Sequence, residues 1–578
     1  MSAKRFLPDA AWIFALALAV RMVVLSQFGH SAYFSPTSGD MQFYADWGRR
    51  IAAGQGAEPH AFYGLPGYPF LLGGIFRLAG FSPYTVAFLQ TLSEAAIAAM
   101  LYQIAAWAFP GPRARVTGAL AALGWTLFQP AQAFSVIVMP TTWAVLTFWG
   151  VFAWSVRTGS RSLWRPWAVL GVLTGLAATL VATALLVLPV PLAAAVRNLR
   201  RPGAVLAAVA CLLGGVAAGT APCWFHNVFL AREPVFLSAH SGVNFWIGNH
   251  PGATGYPSMP PGLRASQGDL LKDSIRVAEA EAGRPLSRGE VSRFWSAKAH
   301  AYIREHPGPW LALMATKMRN FWNATQYDDL SVITPMWEEG VLTPGLRFGA
   351  AALLAIPGIA LAWRRFPRSR WIVGGVALSM AAILPVFVTE RYRLAAVPGL
   401  LLLGAAGLTE LGFALAARHW RTAALWLGAT AVGACGVYWP VEEPVLRWLD
   451  TYNSGLKALQ SGDLPAARAK LERALALAPG NAEVLTAMGT YWLRSNDFEQ
   501  AKHFYKRALE ANPATVGALN NLAILAMTEG RWDAAQNLLD MALRIEPGDA
   551  GMRVLRERCA NELARRAPPS GPINPSIP

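Results

Sequence analysis

Between Ala10 and Pro440 the chain is a succession of apolar stretches of roughly 17 to 25 residues, the length a helix needs to cross a hydrocarbon core. Soluble domains seldom carry so little charge as this chain, in which 15% of residues are Asp, Glu, Lys or Arg and mean hydropathy is +0.32. Beyond Asp450 the character changes to charged, Ala/Leu-rich sequence with a helical period. The pattern predicts an all-α chain: a polytopic membrane helical bundle over residues 1–440, a linker at 441–449, a second helical domain over 450–567 and a Pro-rich disordered tail at 568–578.

A formal charge of +16 invites a nucleic-acid reading, but its distribution removes the need for one. Short loops around Lys4–Arg5, Arg113–Arg115, Arg157–Arg165, Arg197–Arg201, Arg364–Arg370 and Arg418–Arg421 hold 16 basic residues and, near them, the single acid Asp9. Basic residues confined to alternate short loops mark the cytoplasmic side. The N-terminus is therefore expected inside, and residues 29–64 outside. Leu65 to Ala79, broken by Pro66-Gly67-Tyr68-Pro69, is too short to span and is expected at the interface. Further crossings follow at 82–109, 116–134 and 137–156. Two short passes lie between 166 and 196, and another crossing at 203–222. After an external segment at 223–343, helices at 345–363, 371–389, 394–417 and 422–440 bring the count to about eleven and leave the C-terminal domain outside. Ala10 to Phe28 reads as the first membrane helix, since no small-residue cleavage site leads into soluble sequence. The spacing of Cys211, Cys223, Cys435 and Cys559 fits neither a disulfide framework nor a zinc pattern.

The C-terminal domain repeats. Pro479, Pro513 and Pro547 are 34 residues apart, and the same register holds for Ala467, Ala501 and Ala535, for Leu471, Tyr505 and Leu539, and for Ala474, Ala508 and Ala542. Period 34 is the tetratricopeptide period, in which each unit is a helix pair that buries its apolar seam only by stacking on the next. Three such units are expected, forming an α-solenoid.

In the first external loop, Phe43, Tyr44, Trp47 and Ile51 share one face of an expected surface helix, with Asp40 in its first turn. There a carboxylate gains about 0.3–1 kcal/mol from the helix dipole whether or not it does chemistry. Arg21 and Glu94 fall inside apolar spans, where facing lipid would cost about 2.5–3.5 kcal/mol each, so both must face protein or a cavity. Arg391 and Arg393 emerge at an outer helix end against the positive-inside trend, either as snorkelling side chains or as cations for an anionic ligand. Asn244, Asn249 and His250 lie in a Gly-Pro-rich loop that can set turns or hold a sugar. His226, His240 and His250 are too widely spaced for a metal site, and Asn323-Ala324-Thr325 matches the glycosylation triplet, a frequent chance match.

Several of these stretches resemble a known family. The early loop acid, the Arg-Ile-Ala-Ala-Gly run after it, Leu65-Pro66-Gly67-Tyr68-Pro69, Leu89-Gln90, the run Asn244 to Gly255 and Glu390-Arg391-Tyr392-Arg393-Leu394 are similar to bacterial members of the protein mannosyltransferase and aminoarabinose transferase superfamily, of GT-C type. The resemblance implies a membrane glycosyltransferase moving a sugar from a polyprenyl-phosphate donor to a glycan, lipid or protein acceptor, without metal or cofactor. By it Asp40 would be the general base; Arg391, Tyr392, Arg393, Arg21, Tyr44, Tyr68, Asn244, Asn249 and His250 would bind substrate. It also implies an inner-membrane location, with the repeats outside and open to a partner protein. Ala133 to Pro140 lacks the acid that many relatives carry there, and an Arg-Pro of relatives is missing near Ala178 to Val181, so either substrate contacts differ or catalysis has decayed. A non-catalytic envelope scaffold and a lipid-linked glycan ligase or polymerase are the competing expectations.

Overall fold

The computed structural model describes residues 7–31, 34–37, 39–56, 58–158, 164–199, 201–441 and 444–566. Lys4, Arg5 and the tail at 568–578 lie outside the described residues. Two compact units result, Met1–Val441 and Glu442–Pro578.

The first unit is a helical bundle. It begins with α1 (Leu7–Phe28), α2 (Gly39–Ala52), α3 (Gly67–Ala79), α4 (Pro83–Ala108), α5 (Pro112–Thr126), the short α6 (Gln129–Ser135) and α7 (Thr141–Arg157). It continues with α8 (Trp164–Leu180), α9 (Pro189–Asn198) and α10 (Pro202–Phe225). Among the described residues, five helices are long and apolar enough to cross a membrane: Pro8–Phe28, Pro83–Ala108, Pro202–Leu230, Phe348–Arg365 and Val397–Ala416. The remaining expected crossings are shorter or less apolar; α7 and α8 have 17 residues each. Between 166 and 196 the chain makes one long helix and a broken return. Val181 turns extended after α8, a 3-10 turn covers Ala182–Val187, and α9 restarts at Pro189. Pro189 and Pro191 lack the N–H that a continuous helix would need there.

Glycines set how closely α8 and α10 approach. A Cβ on Gly171 or Gly175 would run into the carbonyls of Leu212 or Val216, and one on Gly215 or Gly219 into those of Ala168 or Val172. Small residues four apart on both helices let the backbones touch, which is how helices gain packing energy where lipid supplies no hydrophobic drive. Buried arginine does comparable work at α1. Arg21 donates to the carbonyls of Thr126 (2.5 Å) and Trp125 (3.0 Å) at the end of α5 and lies 3.5 Å from Glu94 of α4. The pair thus ties three helices together, each charge answering the other's burial.

One end of this bundle carries the long segments 29–64 and 223–343. The second holds α11 (Ser241–Asn249), α12 (Gln267–Ala282), α13 (Arg288–Glu305), α14 (Pro307–Trp322) and α15 (Ile333–Glu338). Ser266 caps α12, and Ser287 with Glu290 forms a capping box on α13, satisfying N–H groups that the first helical turn leaves open. A small core of Val243, Ile247, Leu270, Ala278, Val291 and Trp295 holds these helices together and takes in Phe387. The unit closes with α16 (Phe348–Arg365), α17 (Ser369–Ile383), the single turn α18 (Glu390–Arg393), α19 (Val397–Ala416) and α20 (Trp420–Val437).

In the second unit the described residues form α21 (Pro444–Ser461), α22 (Leu464–Leu477), α23 (Ala482–Arg494), α24 (Phe498–Ala511), α25 (Val516–Thr528), α26 (Trp532–Ile545) and α27 (Ala550–Arg566). The first starts at Pro444, inside the stretch expected as a linker. The residues in 34-register, Ala467, Ala501, Ala535, Leu471, Tyr505, Leu539, Ala474, Ala508 and Ala542, are all 0% exposed, forming the seam between paired helices. Gly489 lets α23 approach α24, since a Cβ there would sit 2.5 Å from the Tyr505 ring. Met552 and Cys559 of α27 cover the last pair.

Candidate active site

Three segments remote in sequence meet at the end of the bundle that carries the long loops. Asp40 lies in the first turn of α2, on the buried face it shares with Tyr44, Trp47 and Gly48, of which Tyr44 and Gly48 pack against α3. Arg391 projects from α18, a turn that Thr389 caps by accepting from the Tyr392 N–H. Asp329 comes from the loop between α14 and α15. Arg391 Nη1 donates to Asp40 Oδ2 at 2.8 Å, and Arg391 Nε lies 2.8 Å from Asp329 Oδ2. All three side chains are nearly enclosed, at 9–14% exposure.

Burial decides the electrostatics. It opposes the charge on Arg391, but Asp329, Tyr392 and Asp40 outweigh it and hold the guanidinium well above its usual range. Burial raises Asp329 to about 6; Arg391 pulls the other way and Asp40 adds to the rise. The Tyr44 phenol is raised by burial and by the nearby Asp40, so it stays a neutral hydroxyl. His240 is pushed down to about 4 by burial, within electrostatic range of Asp40 and Arg391. Its Nδ1 faces the Asn244 amide nitrogen at 3.0 Å, which leaves the proton on Nε2, a buried atom without a hydrogen-bond partner. The cluster therefore offers a carboxylate, a fixed cation, a second acid that holds its proton to higher pH, and neutral donors.

Aromatic rings form the walls. Tyr44 meets Tyr68 edge to face at 5.3 Å, Tyr68 Oη donates to Gln90 Oε1 at 3.1 Å, and Gln90 Nε2 in turn donates to the carbonyls of Ser135 and Ile137. Leu89-Gln90 thereby links α4 to the acid-free stretch 133–140. Tyr392 stacks on Phe387 at 5.8 Å.

The other residues singled out by sequence are held in structural bonds. Arg393 pairs with Glu390 and donates to the carbonyls of Asn323 (2.7 Å), Asn320 (3.3 Å), Phe321 (3.4 Å) and Thr325 (3.0 Å), over the Phe348 ring at 3.8 Å. It closes the C-terminal end of α14 and fixes the start of the loop that delivers Asp329, so its charge is spent inside the fold. Asn249 donates to Phe245 and Pro385 and accepts from Trp310 Nε1 and Lys317 Nζ. His250 bridges the Ser258 carbonyl and the Gly252 N–H across its turn. Arg21 is taken by α5 and Glu94, as described. Asn323 of the glycosylation triplet is 1% exposed and donates to the Trp439 carbonyl.

Asp329 and His240 are the residues that sequence reasoning passed over in this role. Asp328-Asp329 was visible only as an acidic pair in a long loop, and nothing in its spacing refers to α2 or α18.

Comparison with known proteins separates the two units. Residues 452–501 and 492–559 match two family models described as tetratricopeptide repeat. The second unit carries tetratricopeptide repeats. The curated proteins that the chain matches include the human PEX5-related protein at 30% identity over 112 residues and its mouse counterpart at 32% over 104. Those matches cover 19% and 18% of this chain, and the chain spans 18% of each relative's length. Among solved structures, the chain is similar to the archaeal oligosaccharyltransferase AglB from Archaeoglobus fulgidus, in complex with an inhibitory peptide and a dolichol-phosphate. Identity is 12% and the TM-score 0.38, with 78% of this chain and 59% of that chain covered. It is also similar to ArnT from Cupriavidus metallidurans bound to undecaprenyl phosphate, at 16% identity and a TM-score of 0.29, with 71% and 79% covered. Neither likeness bears on a substrate for this chain.

Proposed function

We propose that the chain is a membrane glycosyltransferase that moves a sugar from a polyprenyl-phosphate donor to an acceptor hydroxyl at the extracytoplasmic face of the inner membrane. The observation that carries this reading is the buried contact between Asp40 and Arg391, an acid and a cation from opposite ends of the bundle's sequence, with Tyr44, Tyr68 and Tyr392 around them. An incoming phosphate competes for Arg391 Nη1 and releases Asp40. The acceptor oxygen then attacks the anomeric carbon, Asp40 takes the hydroxyl proton, and the carbon–oxygen bond to phosphate breaks with the electron pair leaving on phosphate. Arg391 holds that departing charge in a site largely closed to water, where a fixed donor is worth more than in solvent. The lipid tail keeps the leaving group in the bilayer, consistent with a site at the rim of membrane helices. The tetratricopeptide domain offers a surface for a protein partner or a protein-borne acceptor. No nucleic acid is involved.

Membranes holding wild type or Asp40→Asn, supplied with radiolabelled polyprenyl-phosphate sugar, test the reading. Loss of transfer in Asp40→Asn with donor binding retained is expected. Equal turnover by the two proteins would remove the proposed base and the reading with it.

A further inference from the structure

The charge count around Arg391 does not suit an anionic ligand as it stands. Asp40 and Asp329 share this one guanidinium, and the next acid, Glu390, is committed to Arg393. With both aspartates ionised, the cluster is net negative before any phosphate arrives. Yet the donor in the proposed reaction brings a further negative charge to the same cation.

Asp329 carries the feature that resolves this. Its side chain is 9% exposed; Oδ2 faces Arg391, while Oδ1 is buried and has no hydrogen-bond partner. A buried carboxylate oxygen without a donor is costly, whereas the same oxygen bearing a proton is a hydrogen-bond donor waiting for an acceptor. Two carboxylates competing for one cation resolve their repulsion by one of them keeping its proton. Asp40 makes the charge-assisted hydrogen bond to Nη1, so Asp329 is the one that keeps its proton to higher pH.

Resting on the glycosyltransferase reading, we infer that Asp329 binds the donor as a neutral carboxylic acid, donating its Oδ1 proton to a phosphate oxygen while Arg391 neutralises the phosphate charge. The groups facing it are Arg391, Glu390 and Tyr392 from α18, and Asp40 from α2; the preceding residue in its own loop is Asp328, whose carboxylate accepts from the N–H groups of Leu330 and Ile333. Burial and Asp40 both favour the neutral form. Donor affinity should then be full where Asp329 is protonated, below about pH 6, and fall by about tenfold per pH unit above it, because binding must draw in a proton.

The test uses the full chain in lipid nanodiscs and undecaprenyl-phosphate glucose, a phosphodiester that keeps one negative charge between about pH 5 and 8. Wild type is expected to lose affinity across that window. Asp329→Asn, neutral and still a donor, is expected to bind with wild-type acid-side affinity and no pH dependence; Asp329→Ala is expected to bind weakly throughout. Wild-type binding that is flat with pH, or Asp329→Asn binding as poorly as Asp329→Ala, overturns the inference and leaves the transferase reading standing. If wild type binds the phosphodiester at no pH, both fall; transfer to acceptor by wild type but not by Asp40→Asn upholds the reading independently.

Discussion

Arg391 Nη1 donates to Asp40 Oδ2 at 2.8 Å across 351 positions of sequence, and the same guanidinium reaches Asp329 through Nε. A planar fork can serve two carboxylates at once, which a compact ammonium on a flexible stem cannot. Arg391→Lys should therefore keep the charge and lose the bridge. Losing a charge-assisted hydrogen bond worth about 1.5–3 kcal/mol raises the KM for lipid-linked donor by roughly 10- to 150-fold. A steady-state titration of donor against turnover measures this, and an unchanged KM would deny Arg391 the phosphate.

Arg393, two residues on, is expected to behave differently. Removing it strands the buried Glu390 carboxylate and frees the carbonyls at the end of α14. Arg393→Met should cost about 3–5 kcal/mol of stability, typical for breaking a buried pair. Thermal unfolding in detergent should show the loss, and Arg393→Met with Glu390→Gln should recover part of it. A variant with normal stability but defective donor binding would place Arg393 in the site instead.

Lys317 gives a pH signature to the stability of the first unit. Its ammonium is buried against the Leu384 carbonyl (3.1 Å) and Asn249 Oδ1 (3.3 Å), and burial lowers it to about 7. The unfolded chain binds this proton more tightly than the folded one between about pH 7 and the ordinary lysine range. Stability is thus fullest at high pH and falls as pH drops through that window, levelling off below about 7. Lys317→Met should flatten this component in chemical unfolding followed from pH 7 to 10; an unchanged slope would count against the burial of the charge.

Close approach of α8 and α10 depends on glycine, because the Ala168 carbonyl occupies the place of a Cβ on Gly215. Gly215→Leu should separate the helices at a cost of about 1–3 kcal/mol or more, seen as a lower melting point of the membrane unit. Gly203, whose Cβ would meet nothing, is the control: Gly203→Leu should melt as wild type does.

Gly489→Val is the corresponding change in the repeat domain, driving a side chain into the Tyr505 ring. Circular dichroism of the repeats should show a lowered transition of about 1–3 kcal/mol, with neighbouring repeats weakened because each stabilises the next.

Sequence alone determined whatever is written locally. Runs of apolar residues marked the membrane helices, and the 34-residue spacing of Pro479, Pro513 and Pro547 marked the repeats, because hydropathy and helical period act within a few turns of chain. Asp40 and Arg391 stood out as charged residues where apolar sequence meets a loop, but that Arg391 serves Asp40 while Arg393 serves α14 lay in neither stretch. Two arginines separated by one residue point to different sides of a single turn, and only the neighbours packed there decide which faces an opening and which is consumed by carbonyls. Asp329 shows the same limit: pairing between charges is a matter of distance in space, and its partner Arg391 lies 62 positions away along the chain.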